Sequence, residues 1–302
     1  MTKTPTETMT EIKNPMNEQR NDFRFFHRLR VRWAEVDMQK IVFNAHYLMY
    51  FDTAIADYWR ALALPYEEAM PMLGGDLYVR KATIEFAASA RMDDVLDVAM
   101  KCARVGTSSI VFHGGLFRGD ELLVTCELVY VFADPATQTS KPVPPVLRQL
   151  FTDYEAGGAV HAMQTGDWST LCEAASALRR VVFIEEQKIT EEDEWDDHDE
   201  SSLHAVSRNR LGQVIATGRL LPASEGVGRI GRMAVHRTLR GGGHGAAVMK
   251  TLEDAARARG DRALTLYAQR SAEAFYRQLG YAVSGAPFDE AGIAHIEMRR
   301  VL

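Results

Sequence analysis

The run Arg240-Gly-Gly-Gly-His-Gly-Ala246 lies between an apolar strand-like stretch, residues 229–235, and a helical pattern over residues 247–260. A second apolar stretch at 263–268 completes a strand-helix-strand unit. Glycines in such a crossover let the backbone approach a phosphate closely. The free N–H groups of the helix start then point at that phosphate with the positive end of the helix dipole. Arg240 is expected to add a charge-assisted donor. The chemistry implied is a pyrophosphate cradle. Two familiar nucleotide motifs do not fit. A P-loop needs Lys-Ser or Lys-Thr where His244-Gly245-Ala246 stands, and a dinucleotide fingerprint needs an acidic residue where the next strand ends in Leu266-Tyr267-Ala268-Gln269. A plain glycine-rich turn before a helix is the alternative reading of the spacing alone.

A second candidate lies two hundred residues earlier. In VRWAEVDMQKIVFNAHYLMYFD, Asp37 stands seven residues ahead of Asn44, which reads as the N-cap of a helix. The N–H groups of Ala45, His46 and Tyr47 are then expected to face Asp37 across a small gap. A carboxylate opposite a helix N-terminus suits acyl chemistry: the helix end polarises a carbonyl while the carboxylate attacks or activates water. The competing reading makes Asp37 a turn residue and His46 a solvated surface group.

Two different frames must hold these residues. Residues 45–64 place Tyr47, Phe51, Ala54, Ile55, Tyr58 and Leu62 at steps of three and four, giving one broad apolar helix face. Alternating runs follow at 82–86, 96–102 and 122–132, joined by tight links at Gly106 and Gly119, so an antiparallel meander curling round a buried helix is expected. Composition shifts over residues 142–158, rich in Pro and Gly, and the boundary is placed near Gly157 and Gly158. Beyond it come a helix around 169–184, strands at 203–207 and 214–221, the strand-helix-strand unit, a short helix at 272–279 and a last strand at 294–301. The resulting division is a polar tail expected to be disordered (1–22), a first domain (23–156) and a second (157–302).

Bulk properties narrow the classes. With 302 residues, 46% hydrophobic and 25% charged, the chain reads as two globular domains. A net charge of −6 without a Lys/Arg block argues against nucleic acid as a partner. Cys102, Cys126 and Cys172 are too far apart for a metal knuckle, and their odd number suits a reducing compartment. No stretch is apolar enough for a signal peptide or a membrane span, so a soluble, cytoplasmic protein is expected. Ten carboxylates fall within residues 185–200. They read either as a solvated acidic loop or as a funnel for a cationic amine. Asp197-His198-Asp199 is a poor metal site, because three consecutive side chains do not readily converge on one ion.

The order Asp37, Ile41-Val-Phe, Asn44-Ala-His46-Tyr47 and then an aromatic-rich helix resembles the 4-hydroxybenzoyl-CoA thioesterase-like branch of the hotdog-fold acyl-CoA thioesterases, over residues 25–151. That family usually has glycine where Lys40 stands. The resemblance implies an antiparallel sheet wrapped round a central helix. Asp37 would be the catalytic carboxylate, and the helix start at Asn44, Ala45 and His46 would bind the thioester oxygen. Assembly as a homodimer or homotetramer through this domain is also implied. The second half, residues 160–302, is similar to the GNAT N-acetyltransferases, most of all the ElaA-like branch. Four ordered pieces carry this: Arg179–Gln187, Arg240-x-x-Gly243-x-Gly245, Ala274-Phe-Tyr276-x-x-x-Gly280-Tyr281, and residues 292–298. The resemblance implies an α/β domain with a mixed sheet, an α+β chain as a whole, and acetyl-CoA or another acyl-CoA as substrate, with no permanently bound cofactor. The CoA pyrophosphate would sit on Arg240, Gly241, Gly243, Gly245 and Ala246, and the pantetheine along the strand edge at Met233 and Val235. Tyr276 would act as acid toward the leaving thiolate, and Glu185 is the expected base. The expected whole is a bifunctional enzyme that hydrolyses acyl-CoA and transfers acyl groups to a cationic amine. The alternative is that one domain is catalytic and the other an acyl-CoA-sensing or oligomerising module.

Overall fold

The computed structural model describes residues 18–302, which divide into two compact units: described residues up to 62 with 66–159, and residues 63–65 with 160–302. The first unit runs β1 (Phe25–Arg30), α1 (Asn44–Ala61), α2 (Tyr66–Leu73), β2 (Asp76–Phe86), β3 (Val95–Val105), β4 (Ser109–Arg118), β5 (Glu121–Ala133) and α3 (Pro145–Glu155). Its strands pair antiparallel in the order β1-β3-β4-β5-β2, and α1 packs on one face. The expected helix stripe is buried: Tyr47, Phe51, Ala54, Ile55 and Tyr58 all face inward, joined by Tyr50 and Trp59. Close approach of helix and sheet depends on Gly114. A Cβ there would meet the Phe51 ring at 2.7 Å and the Met100 sulfur at 2.8 Å. This is the hotdog arrangement that the helix and meander predict.

One expectation about the ends of this unit needs correction. Of the polar tail at 1–22, residues 1–17 lie outside the described residues, but 18–22 belong to the fold. Phe23, Phe26, Ala99, Phe117 and Leu122 form an apolar patch on the sheet. Arg20 covers it, stacked 4.5 Å over Phe26 and bonded to Asp97, while Glu18 is buried against Lys101 and His113. The stretch of shifted composition at 142–158 is largely helix, and the two units divide between 159 and 160, next to Gly157 and Gly158. Pro145 occupies the first turn of α3, where no N–H donor is needed, and Leu147, Leu150, Phe151 and Tyr154 are buried. Glu155 at its end accepts from the Tyr58 hydroxyl and from the Cys102 N–H.

The second unit contains β6 (His161–Gly166), α4 (Trp168–Arg179), α5 (Glu191–Glu194), α6 (His198–Ser201), β7 (Leu203–Asn209), β8 (Val214–Leu220), β9 (Val227–Val235), α7 (His244–Arg259), β10 (Ala263–Gln269), α8 (Glu273–Gln278), β11 (Ala282–Val283), β12 (Phe288–Glu290) and β13 (Ile293–Val301). Its sheet runs β11-β13-β10-β9-β8-β7-β6, with β12 also on β13. The β9–β10 pair is parallel and its neighbours are antiparallel, so the sheet is mixed. The period of two along the strands assigns the faces, with the alternation in β9 inverted between Ile230 and Ala234 by a bulge. Ala205, Ile230, Leu264 and Leu266 pack with α7 residues Val248, Met249 and Leu252, whereas Val206 and Ala234 pack with α4 and its continuation. That continuation is a π-helical stretch, Arg180–Glu186.

The acidic run at 185–200 is not simply solvated. Arg179, 1% exposed, sits between the rings of Trp168 and Trp195 and bonds Glu194 and Asp199. Arg219 joins Asp199 to Asp196, and Arg232 joins Asp196 to Glu194. Three guanidinium groups thus neutralise three carboxylates in a closed network. Burial opposes charge on Asp196, yet bonds from Arg219 and the nearby charge of Arg232 outweigh it and hold the carboxyl down to about 2. Removing one member leaves its partners buried and unpaired. Arg179→Ala is therefore expected to destabilise the second unit by about 3–5 kcal/mol. The check is the urea midpoint of the full chain followed by tryptophan fluorescence; an unshifted midpoint would show that the network adds no stability.

Candidate functional site

In the first unit a short reversal carries Asp37. Val36 bridges Val42, the Asp37 N–H bonds the Ile41 carbonyl at 2.9 Å, and the Gln39 N–H bonds Asp37 Oδ1 at 2.8 Å. Lys40 takes a left-handed backbone, φ 63°. That conformation suits glycine, and a lysine bears it at a cost of about 1–2 kcal/mol. The Phe43 N–H bonds the Glu35 carbonyl, which sets the path into α1. Glu35 is an anchor that sequence reasoning missed. Buried at 3% exposure, it accepts from Tyr50 Oη at 2.7 Å and from the Arg32 N–H at 2.8 Å. Burial alone would raise its pKa, but the Arg32 and Tyr50 bonds win and lower it.

The helix start differs in detail from expectation. Phe43, extended at φ −60° and ψ 134°, is the N-cap, and Asn44 is already helical. The His46 N–H is taken by the Phe43 carbonyl at 2.9 Å, and the His46 ring lies edge-on to Phe43. Tyr47, inside the helix, is buried, and its hydroxyl accepts from the Ala90 N–H at 3.0 Å. The N–H groups left without a partner among the described residues are those of Asn44 and Ala45. The positive patch is narrower than three groups but sits at the expected place, three residues past the Ile41 that pairs with Asp37.

In the second unit the site is made by two strands that part. β9 and β10 are in register only from Val227 with Ala263 to Ile230 with Leu266. Beyond that, β9 stays with β8 as far as Val235, and β10 stays with β13 as far as Gln269. A bulge at Arg232, φ 51°, opposite Gly218 bends β9. The separation opens a cleft of about 480 Å³. Tyr276, Met233, Gln187, Gln269, Arg229 and His295 are among its walls. The edge of β9 at Met233 and Val235 has lost its β10 partner, which leaves the edge, apart from the Val235 carbonyl taken by Arg240, open to an extended ligand.

The glycine loop follows β9 directly. Gly241 and Gly243 have φ of 82° and 84°, and Gly243 is the N-cap of α7. The N–H groups of Gly241, Gly243, His244, Gly245 and Ala246 have no partner among the described residues. A Cβ on Gly245 would come within 3.3 Å of Val235 and 3.4 Å of Phe275, so its absence lets the helix start settle against β9 and α8. Arg240 departs from expectation. Its guanidinium is bonded to both oxygens of Glu186 at 2.6 and 2.7 Å, and its Nε donates to the Val235 carbonyl at 3.1 Å. It clamps the loop to the π-helical stretch, and the cradle is left to backbone donors.

The other expected residues separate. Tyr276 on α8 lines the cleft, and burial pushes its phenol up to about 12. Glu185 is exposed on the π-helical stretch and is not among the residues lining the cleft. His295, part of a noted motif but not a site candidate, does line it. Its Nδ1 is 2.7 Å from the Ile293 carbonyl, an arrangement that puts the proton on Nδ1 and leaves Nε2 as an acceptor.

Residues 31–151 match the thioesterase-like superfamily, and residues 181–302 match the acetyltransferase (GNAT) domain. The chain joins a thioesterase-like domain to a GNAT acetyltransferase domain. The GNAT unit is 35% identical over 124 residues to the uncharacterized N-acetyltransferase YjcF of Bacillus subtilis (strain 168), covering 41% of this chain and 87% of that protein. It is 33% identical over 129 residues to the uncharacterized protein YyaT of the same organism, covering 42% and 86%. The thioesterase-like unit is 25% identical over 117 residues to the acyl-CoA thioester hydrolase YbgC of Escherichia coli O157:H7, covering 38% of this chain and 87% of that protein. No helix among the described residues is long and apolar enough to cross a membrane.

One histidine of the GNAT loop carries a pH signature. His244 is buried, its Nδ1 has no partner among the described residues, and its ring is edge-on to His161. Burial first, and then His161, push its pKa down to about 4. In the unfolded chain a histidine titrates near 6.5, so between pH 6.5 and 4 the unfolded state binds the extra proton. Stability should therefore fall as pH drops through that window, by about 3 kcal/mol from this group. His244→Asn should flatten that part of the stability profile, measured by thermal melting at stepped pH; an equally steep profile would assign the acid sensitivity elsewhere.

Proposed function

We propose that the chain is a bifunctional CoA-dependent enzyme, hydrolysing acyl-CoA thioesters in its thioesterase-like unit and transferring an acyl group from acetyl-CoA to an amine in its GNAT unit. The observation that carries this reading is the continuity of the parted β9–β10 edge with a glycine loop bearing five unpartnered N–H groups. It suits a ligand with an extended amide arm ending in a pyrophosphate. In the GNAT unit the amine nitrogen attacks the thioester carbon, and the C–S bond breaks as the tetrahedral intermediate collapses. His295 Nε2 takes the proton the amine gives up. Tyr276, whose raised pKa keeps it a phenol at neutral pH, meets the departing sulfur as a hydrogen-bond donor. Glu185, outside the cleft, is replaced by His295 in the role of base.

In the thioesterase-like unit the thioester oxygen rests on the N–H groups of Asn44 and Ala45. Asp37 supplies the carboxylate that attacks the carbonyl carbon or activates water. This unit assembles as a homodimer or homotetramer. Support comes from exposed apolar side chains on the edge strand β2, Val79 and Phe86, and from Leu48 and Met49 on α1.

Asp37→Asn keeps the oxygen that holds the Gln39 N–H but removes the charge. It is expected to lower the rate of thiol release from acyl-CoA in the absence of amine by about 100-fold or more. Undiminished release would assign the first unit to acyl-CoA sensing or oligomerisation rather than hydrolysis. Tyr276→Phe should slow amine acetylation by about 10–100-fold while leaving the dissociation constant for acetyl-CoA within about twofold. Loss of acetyl-CoA binding instead would make Tyr276 a packing residue of the cleft.

A further inference from the structure

The side of the cleft away from α7 holds a cation that no carboxylate among the described residues pairs with. Arg229 lies on β9 in the last paired stretch before the strands part, opposite Thr265. Its neighbour Ile230 packs into the core beneath α7, so the alternation of the strand sends Arg229 to the other face, with Tyr267. It is half-buried, and its guanidinium lies 5.2 Å from the Tyr267 ring centroid. The other two arginines that line the cleft, Arg219 and Arg232, are each held by two carboxylates. Arg229 has no carboxylate partner among the described residues. The acidic run expected to attract a cationic amine spends its Glu194, Asp196 and Asp199 on Arg179 and those other arginines.

A guanidinium drawn partly out of water without a counter-charge is unfavourable, and stacking on one aromatic ring offsets only part of the cost. Its planar fork matches the two oxygens of a carboxylate or phosphate, and stacking on Tyr267 orients that fork. Two carboxylates without an ion-pair partner among the described residues, Asp193, which accepts from the Thr190 hydroxyl, and Glu290, also line the cleft and suit an ammonium group on its way in. We infer that the acceptor carries an anionic group, a carboxylate or a phosphate, alongside its amine, and that Arg229 receives that group. This rests on the acyl-transfer reading of the GNAT unit and narrows its acceptor from a cationic amine to a zwitterion.

The test uses the full chain, acetyl-CoA and matched acceptors. These are β-alanine against β-alaninamide, 2-aminoethyl phosphate against ethanolamine, and spermidine as the polycation. At least one anionic member should exceed its neutral counterpart by about 10–100-fold in kcat/KM, the range for a hydrogen-bonded charge. The pair that shows the gap tells carboxylate from phosphate. Arg229→Gln should abolish the gap by raising KM for the anionic acceptor, with kcat, the neutral acceptor and acetyl-CoA affinity unchanged. Arg229→Lys should restore part of it, which a merely structural role for Arg229 would not produce. Spermidine or the neutral amines outperforming both anionic members would overturn the inference and leave acyl transfer standing. A lack of acetylation of every amine, with acetyl-CoA still bound, would remove the acyl-transfer reading and this inference with it.

Discussion

The second unit depends on one interruption of hydrogen bonding. After Ile230 and Leu266 the parallel pair β9 and β10 stops being a ladder, because the bulge at Arg232 turns β9 toward β8 while β10 follows β13. Peptide groups on a buried strand edge need partners, so the parting is tolerable only where water or a ligand can supply them. The cleft, the β9 edge at Met233 and Val235 that lacks a neighbouring strand, and the position of the glycine loop all follow from that divergence. The arginine-carboxylate network lies beside it. Arg232 sits at the bulge itself and is tied to Glu194 and Asp196, so the acidic segment helps hold the bent strand.

The first unit obeys a different constraint. A long aromatic helix must lie close on a sheet, and Gly114 gives it room. Once α1 is seated, its N-terminus is fixed by the buried Glu35, which binds Tyr50 of the same helix and Arg32 of the preceding turn. Asp37 is then delivered by a reversal too tight for ordinary backbone, with the strain taken by Lys40. Both units thus present a helix N-terminus with unpartnered N–H groups to the place where a thioester substrate would lie, one at Asn44 and one at Gly243. They reach it through unrelated folds.

Much of this was legible in the chain itself, and the reason is local. The stripe from Tyr47 to Tyr58 and the alternation in β5 are periodicities of 3.6 and 2 that any strongly patterned sequence displays. The glycines at 241 and 243 are required by positive φ, and glycine is the residue that adopts such angles without a steric cost. The surroundings of Arg240 and Glu185 were not legible, for the opposite reason. Whether a charged side chain faces a ligand or a neighbour depends on which distant residue arrives beside it. For Arg240 that residue is Glu186, more than fifty positions away in sequence. His295 was passed over because a lone histidine in a terminal strand has no signature until the strand is paired.

Taken alone, the sequence determined the two families, the α+β architecture, the helix and strand sequence around each site, and the glycine loop with its backbone donors. These rest on spacing along the chain, which backbone geometry converts directly into structure. The tertiary structure decided the charges. It showed which carboxylates of the acidic run are spent on Arg179, Arg219 and Arg232, that Arg240 is bonded to Glu186, and that Arg229 has no carboxylate partner among the described residues. Electrostatic partnership is a property of distance in space, and only the folded chain sets those distances.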